Sequence, residues 1–124
     1  MSGLVEFSAD SRSKTIGQNF RCRAWVQFNG TGSVPIRGSG NVSSITDNGT
    51  GDYTITFATP MPTENYSVVG MMDNGGSSVW LSSLEIYYVG SFSASSVRIN
   101  ATRVSSVSNR YFSDLDYICL AMFH

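Results

Sequence analysis

Charge is what this chain of 124 residues has least of: Lys, Arg, Asp and Glu make up 14% of it, against roughly a quarter in ordinary soluble domains. The formal balance is −1, so no basic field gathers phosphates and nucleic acid is excluded as a partner class. No apolar run approaches the roughly 18 residues of a membrane-spanning helix, and membrane insertion is not expected. The opening residues Met1 to Glu6 carry neither a basic nor an apolar signal region, so no secretory leader is expected.

Histidine and cysteine are nearly missing too. A Ser-His-Asp triad needs an imidazole held by a carboxylate beside its nucleophile. The single histidine is His124, the last residue, and no Gly-x-Ser-x-Gly elbow occurs. A zinc site needs three or four Cys, His or carboxylate ligands, more than Cys22, Cys119 and His124 supply. Each cysteine sits in a strand-like run and is expected to be a small buried hydrophobe, not half of a disulfide. These shortages point away from an enzyme and from any cofactor or metal.

Carboxylate pairs require separate weighing, because glycosidases work with two acids. Asp47 with Asp52 and Asp114 with Asp116 are the candidates. The first pair flanks a turn whose backbone amides it is expected to bind, and the second reads as loop and strand-entry residues. Asp47, Asn48 and Asp52, or Asp73 and Asn74, offer hard oxygen ligands for calcium, but the Asp-x-Asp-x-Asp-Gly spacing is absent. Turn chemistry accounts for all of them.

A helical stripe is the last absence. What is there instead is period-2 alternation. Arg21 to Phe28 sets Cys22, Ala24, Val26 and Phe28 on one face, and Arg21, Arg23, Trp25 and Gln27 on the other. Asp52 to Phe57 sets Tyr53, Ile55 and Phe57 against Thr54 and Thr56. Tyr66 to Met72 is more continuously apolar, as in a strand covered on both faces. Glu85–Phe92, Ser96–Val104 and Tyr117–Phe123 are further strands, with Val34–Arg37, Val42–Asp47 and Val79–Leu81 as shorter ones. Asn29-Gly30-Thr31-Gly32, Asp47 to Asp52 and Asp73-Asn74-Gly75-Gly76 punctuate them as turns. About thirty Ser and Thr provide the polar surface, which suits pleated sheet. The expectation is an all-β fold, an antiparallel β-sandwich or flattened barrel of about 7–9 short strands. Residues 20–124 form the single domain and 1–19 a polar arm or leader.

Arg23 to Arg37 (RAWVQFNGTGSVPIR), Asn41 to Phe57 (NVSSITDNGTGDYTITF) and Ala58 to Tyr66 (ATPMPTENY) resemble, in that order, a module of phage tail-fibre and other virion proteins, notably those of marine and cyanobacterial phages. Val97–Val104 and Asp116–Met122 fit the same module more loosely. The resemblance implies a virion structural protein at the distal end of a fibre, a homotrimer among other virion proteins, with no catalytic residues to carry over. Such proteins usually have a longer attachment region, which this chain lacks.

Within that frame the aromatics are the candidates for contact with a host surface polysaccharide, since rings stack on sugar faces and Trp, Tyr and Arg dominate binding hot spots. They are Trp25 on the Arg23/Gln27 face, Trp80, Tyr87 and Tyr88 in the later strands, and Tyr111 beside Phe112 in a loop. Asp73, Asn74 and Asn109 supply polar contacts from the Asp73–Ser78 and Asn109–Ser113 loops, the natural receptor-facing elements. Packing of Trp25 between sheets or in a subunit interface is the competing reading. Arg21, Arg23, Arg98 and Arg103 are read as solvated, or as partners of Glu85, Asp114 or Asp116 across a subunit boundary. Three functions are weighed: a receptor-binding tip, a purely structural virion component, and a glycan-cleaving enzyme, the last disfavoured by the missing parts.

Overall fold

The alternating segments become nine antiparallel strands among the described residues, which in this computed structural model are 21–73, 81–86, 91–106 and 109–124. The first sheet has the order β2 (Ile36–Gly40), β1 (Cys22–Phe28), β9 (Tyr117–Phe123), β5 (Ser67–Asp73). The second has the order β3 (Val42–Gly49), β4 (Asp52–Phe57), β7 (Ser96–Ser106), β6 (Leu81–Ile86). In it β8 (Asn109–Phe112) also pairs with β7. Since β6 takes the other edge of β7, β8 continues the line of β4. The all-β sandwich is the fold. The arm of residues 1–19 lies outside the described residues.

The core is the set of inward residues that period 2 assigns. Ala24, Val26 and Phe28 from β1 and Ile118, Leu120 and Met122 from β9 face Tyr53, Ile55 and Phe57 from β4 and Val97, Ile99 and Ala101 from β7, all buried. Edge-on ring contacts tie the layers: Phe28 on Tyr53 at 5.2 Å, Phe57 on Tyr66 at 5.7 Å and Tyr66 on Phe92 at 5.1 Å. Tyr53 is fully buried, and its hydroxyl lies 2.8 Å from Gly30 O and 2.7 Å from Asp114 Oδ1. Burial first, and the carboxylate of Asp114 second, raise its pKa far above that of an ordinary phenol. Tyr66 points its hydroxyl at Ser93 O and Ser96 O, and burial pushes its pKa up to about 12.

One residue carries the chain from the first sheet to the second. Asn41, between β2 and β3, takes φ of 56°, a left-handed conformation that asparagine tolerates better than most residues. Its Nδ2 donates to Arg23 O and Thr59 O, both at 2.9 Å, and its Oδ1 accepts from Thr59 N at 2.6 Å. Its own carbonyl accepts from Ala58 N at 3.2 Å. The corner is thus stapled to β1 and to the segment after β4.

Several expectations are corrected. Cys22 is exposed and Cys119 half-buried: a register shift between Cys22 and Ala24 turns Cys22 out of the inward series, and Cys119 belongs to the outward set of β9. Both are free thiols. The β3–β4 hairpin closes on Thr50 and Gly51, with Gly49 paired to Asp52 and Gly51 at φ of 62°, two residues beyond the Asn48-Gly49 dipeptide. Asp47 does accept from the turn amide of Gly49 at 3.1 Å. Asp52 does not bind turn amides: Arg98 Nε and Nη2 grip its two oxygens at 2.8 and 2.7 Å, holding the carboxyl below its usual pKa. That pairing lies within the chain, because Thr54 and Arg98 are register partners on the outward face of β4 and β7.

Asn41→Ala is expected to remove about 2–3 kcal/mol, from three hydrogen bonds and the left-handed backbone together. Asn41→Gly keeps the backbone and loses the bonds, so it should lose distinctly less; equal losses in urea unfolding would refute the backbone component. Alkali supplies a second expectation. A phenol with a raised folded pKa stabilises fully below its unfolded pKa of about 10, and that stability declines as pH climbs toward the folded value. Stability should therefore fall from pH 10 upward, with a shallower fall in Tyr66→Phe. Ultraviolet titration showing Tyr53 and Tyr66 ionising near pH 10 in the folded protein would contradict this.

Candidate functional site

Strand pairing places the outward residues of the first sheet in rows. Gly40, Trp25, Ala121 and Val69 lie across the sheet in one row, and Gly38, Gln27, Cys119 and Met71 in the next. Phe123 and Ser67 border them at one end, Tyr117 and Asp73 at the other. The face is apolar and bare: Met71 is 80% exposed, Val69 53%, Trp25 47%, Tyr117 42% and Phe123 37%. The run Tyr66 to Met72 is therefore not covered on both faces. β5 is an edge strand whose outward side chains meet solvent.

Trp25 lies flat on this surface. Its six-membered ring is over Gly38 and its five-membered ring over Gly40: a Cβ added at Gly38 would sit 3.2 Å from Cη2, and one at Gly40 would collide with Nε1 and Cδ1. Glycines opposite an aromatic let the ring cover the strand. One face of the indole is thus seated and the other is presented outward. Charged groups stay at the margins. Arg23 Nε donates to His124 O at 3.0 Å at one end. At the other, Arg37 stacks 4.1 Å above the Tyr117 ring and donates to Asp116 O. Between them, Gln27 Nε2 bonds Cys119 Sγ at 3.4 Å.

A second feature lies at the end of the sandwich that holds Asn41. A cleft of about 380 Å³, open to solvent, has Glu64, Asn65, Tyr66 and Phe92 among its lining residues. The loop that builds it is anchored: Asn65 N donates to Thr63 Oγ1 at 3.1 Å, and Thr63 Oγ1 is 2.9 Å from His124 Nε2. Phe92 leads into a serine turn, in which Ser96 N donates to Ser93 Oγ at 3.0 Å.

Of the residues singled out from sequence, Trp25 is placed as expected, outward beside Arg23 and Gln27. Tyr111 is exposed at 48% and Phe112 at 54%, but they and Asn109 form strand β8 against β7 and not a loop. The backbone amides of that segment pair with β7 where β4 has ended, which is why it is extended. Asp73 closes β5, opposite Tyr117. Asn74, Trp80, Tyr87 and Tyr88 lie outside the described residues. Asp114 is structural: its Oδ1 accepts from Gly51 N at 2.8 Å as well as meeting Tyr53. Among the described residues no group of three or more His, Cys, Asp or Glu converges as metal ligands. Glu64, Asn65 and Phe92 were not singled out from sequence. The available signal was Glu64, the one charged residue between Asp52 and Asp73.

Compared with protein-family models, curated proteins and solved structures, the chain matches none of them.

Gly40→Ala should lift the indole and cost about 1–3 kcal/mol as overpacking. Adding Trp25→Ala should recover most of that loss, because the clash goes with the ring. Additive losses in the double-mutant cycle would show that Trp25 does not depend on Gly40.

Proposed function

We propose that this protein is a virion structural module of phage tail-fibre type, a non-catalytic homotrimer at the distal end of a fibre that contributes to host-surface attachment. The observation that carries the reading is the bare apolar face of the first sheet. Four strands spaced about 4.8 Å apart and five to seven residues long give the sheet a footprint of roughly 400 Å², and contiguous exposed apolar side chains on such a face mark an interaction site.

The occupant of that face is a second copy of this chain. Trp25, Ala121, Val69, Cys119 and Met71 hold the centre and Arg23, Arg37 and Asp73 the margins, the apolar core and polar rim of a protein interface. A net charge of −1 leaves little repulsion between copies. Strand β5, without lysine or proline and with its one charge at Asp73, lacks the devices that keep exposed edges apart. The carboxylates that a glycan-cleaving reading would use are committed elsewhere, Asp52 to Arg98 and Asp114 to Tyr53 and Gly51. The resemblance from Arg23 to Tyr66 supplies the virion setting and the number three.

Light scattering at micromolar concentration tests this. The expected mass is three times the 13.5 kDa of one chain. Val69→Lys with Met71→Lys, both outward and exposed, should give a folded monomer. A monomeric parent protein, or a trimer indifferent to both lysines, would overturn the assignment.

A further inference from the structure

The cleft at Glu64, Asn65, Tyr66 and Phe92 has no part in the assembly face, and its chemistry is specific. Phe92 gives it an apolar wall, held by the edge-on contact to Tyr66 at 5.1 Å, which is itself edge-on to Phe57 at 5.7 Å. The wall is therefore rigid, anchored through two rings to the core. Tyr66 commits its proton to Ser93 O or Ser96 O and keeps a lone pair. The Glu64 carboxylate and the Asn65 carboxamide are exposed, and their side chains bond nothing among the described residues, although the backbone between Thr63 and Tyr66 is fixed. A carboxylate acceptor, a carboxamide that both donates and accepts, and an aromatic wall thus line a cleft of about 380 Å³, within the usual range of ligand sites.

We propose that this cleft binds a neutral pyranose of a polysaccharide. A sugar hydroxyl donates and accepts at once, which suits Glu64 and Asn65, and the C–H face of the ring packs on Phe92. The one charge among the described lining residues is that of Glu64, so uronic and sialic acids are disfavoured. Two properties favour weak recognition of a chain over capture of a small molecule: the cleft is open along one side, and its polar groups are few. The proposal deepens the attachment reading above and rests on it for the ligand class.

Titration of the full chain, followed by ¹H–¹⁵N NMR, tests the site. The probes are oligomers of glucose, galactose and N-acetylglucosamine, with oligogalacturonate as the anionic comparison. The expected result is that a neutral oligomer shifts amides in 63–66 and 91–96 and that oligogalacturonate does not. Glu64→Ala, an exposed change that leaves the core untouched, should weaken binding about tenfold or more, as loss of a charge-assisted hydrogen bond implies. Phe92→Leu should weaken it further. Silence with every neutral oligomer, equal binding of oligogalacturonate, or affinity unmoved by Glu64→Ala would overturn the proposal. The mass of the same samples separates the two readings. A trimer that binds no sugar sinks the cleft alone; a monomer that binds one sinks the assembly alone.

Discussion

A hydroxyl buried between two sheets must find a partner or cost about 1–3 kcal/mol, and the turns at one end of this fold are arranged around that of Tyr53. Gly30 O and Asp114 Oδ1 meet it from the end of β1 and from the approach to β9. Asp114 accepts from Gly51 N, which fixes the β3–β4 hairpin to the same point. Gly30 N donates to Leu115 O at 2.8 Å, and Leu115 is buried beside it. Three connections far apart in sequence are thus joined through two bonded oxygens, Tyr53 Oη and Asp114 Oδ1. Asn41 does the corresponding work at the other end, where its carboxamide joins β1, the β2–β3 corner and Thr59. The sandwich is closed by neutral hydrogen bonds at the Asn41 end and by bonds to a single carboxylate, Asp114, at the other, which is how a chain with so few charges is held.

With the inside settled, the two sheets differ outside. Along β4 and β7 the second sheet shows Thr54, Thr56 and the Asp52–Arg98 pair, groups content in water, and its exposed rings, Tyr111 and Phe112, are confined to the short strand β8. The first shows Trp25, Val69, Met71, Tyr117 and Phe123. Such an inequality is not explained by folding, because burial of Met71 or Val69 contributes nothing to a core they do not enter. A second surface that removes them from water does explain it, and Gly38 and Gly40 fit that account: they keep the face flat where the indole lies down.

Strands β1, β4 and β9 were legible because one face of each is buried and the other is not, so apolar residues recur every second position. β5 was misread because a continuous apolar run looks the same whether its outer face meets protein or solvent. Cys22 defied the pattern through a register shift, a property of the paired strands and not of either one. Asp52 finds Arg98 46 positions along, a distance at which no local rule operates. The cleft was hidden for a like reason: Glu64 and Phe92 belong to separate segments, and no local pattern joins them. Asp114 lies in the loop before β9, as its place in the sequence suggests, but its partners, Tyr53 and Gly51, are too far along the chain to be read from spacing.

The positions of face and cleft bear on how one small domain can serve assembly and attachment together. Glu64 and Asn65 precede β5 and lie in the loop at the Asn41 end, whereas Val69 and Met71 point out of the sheet farther along the strand. In the proposed assembly, copies joined across the sheet would leave each cleft open, and a trimer would carry three. A single open cleft with one carboxylate and one carboxamide offers few contacts, so its own affinity for a sugar is small. Linked sites on a repeating polymer change that arithmetic: once one pyranose is held, the next binding event is intramolecular, and avidity exceeds the single-site affinity by orders of magnitude when the spacing fits. In the proposed assembly the bare face would matter to recognition as much as the cleft, because it would set the distance between binding sites.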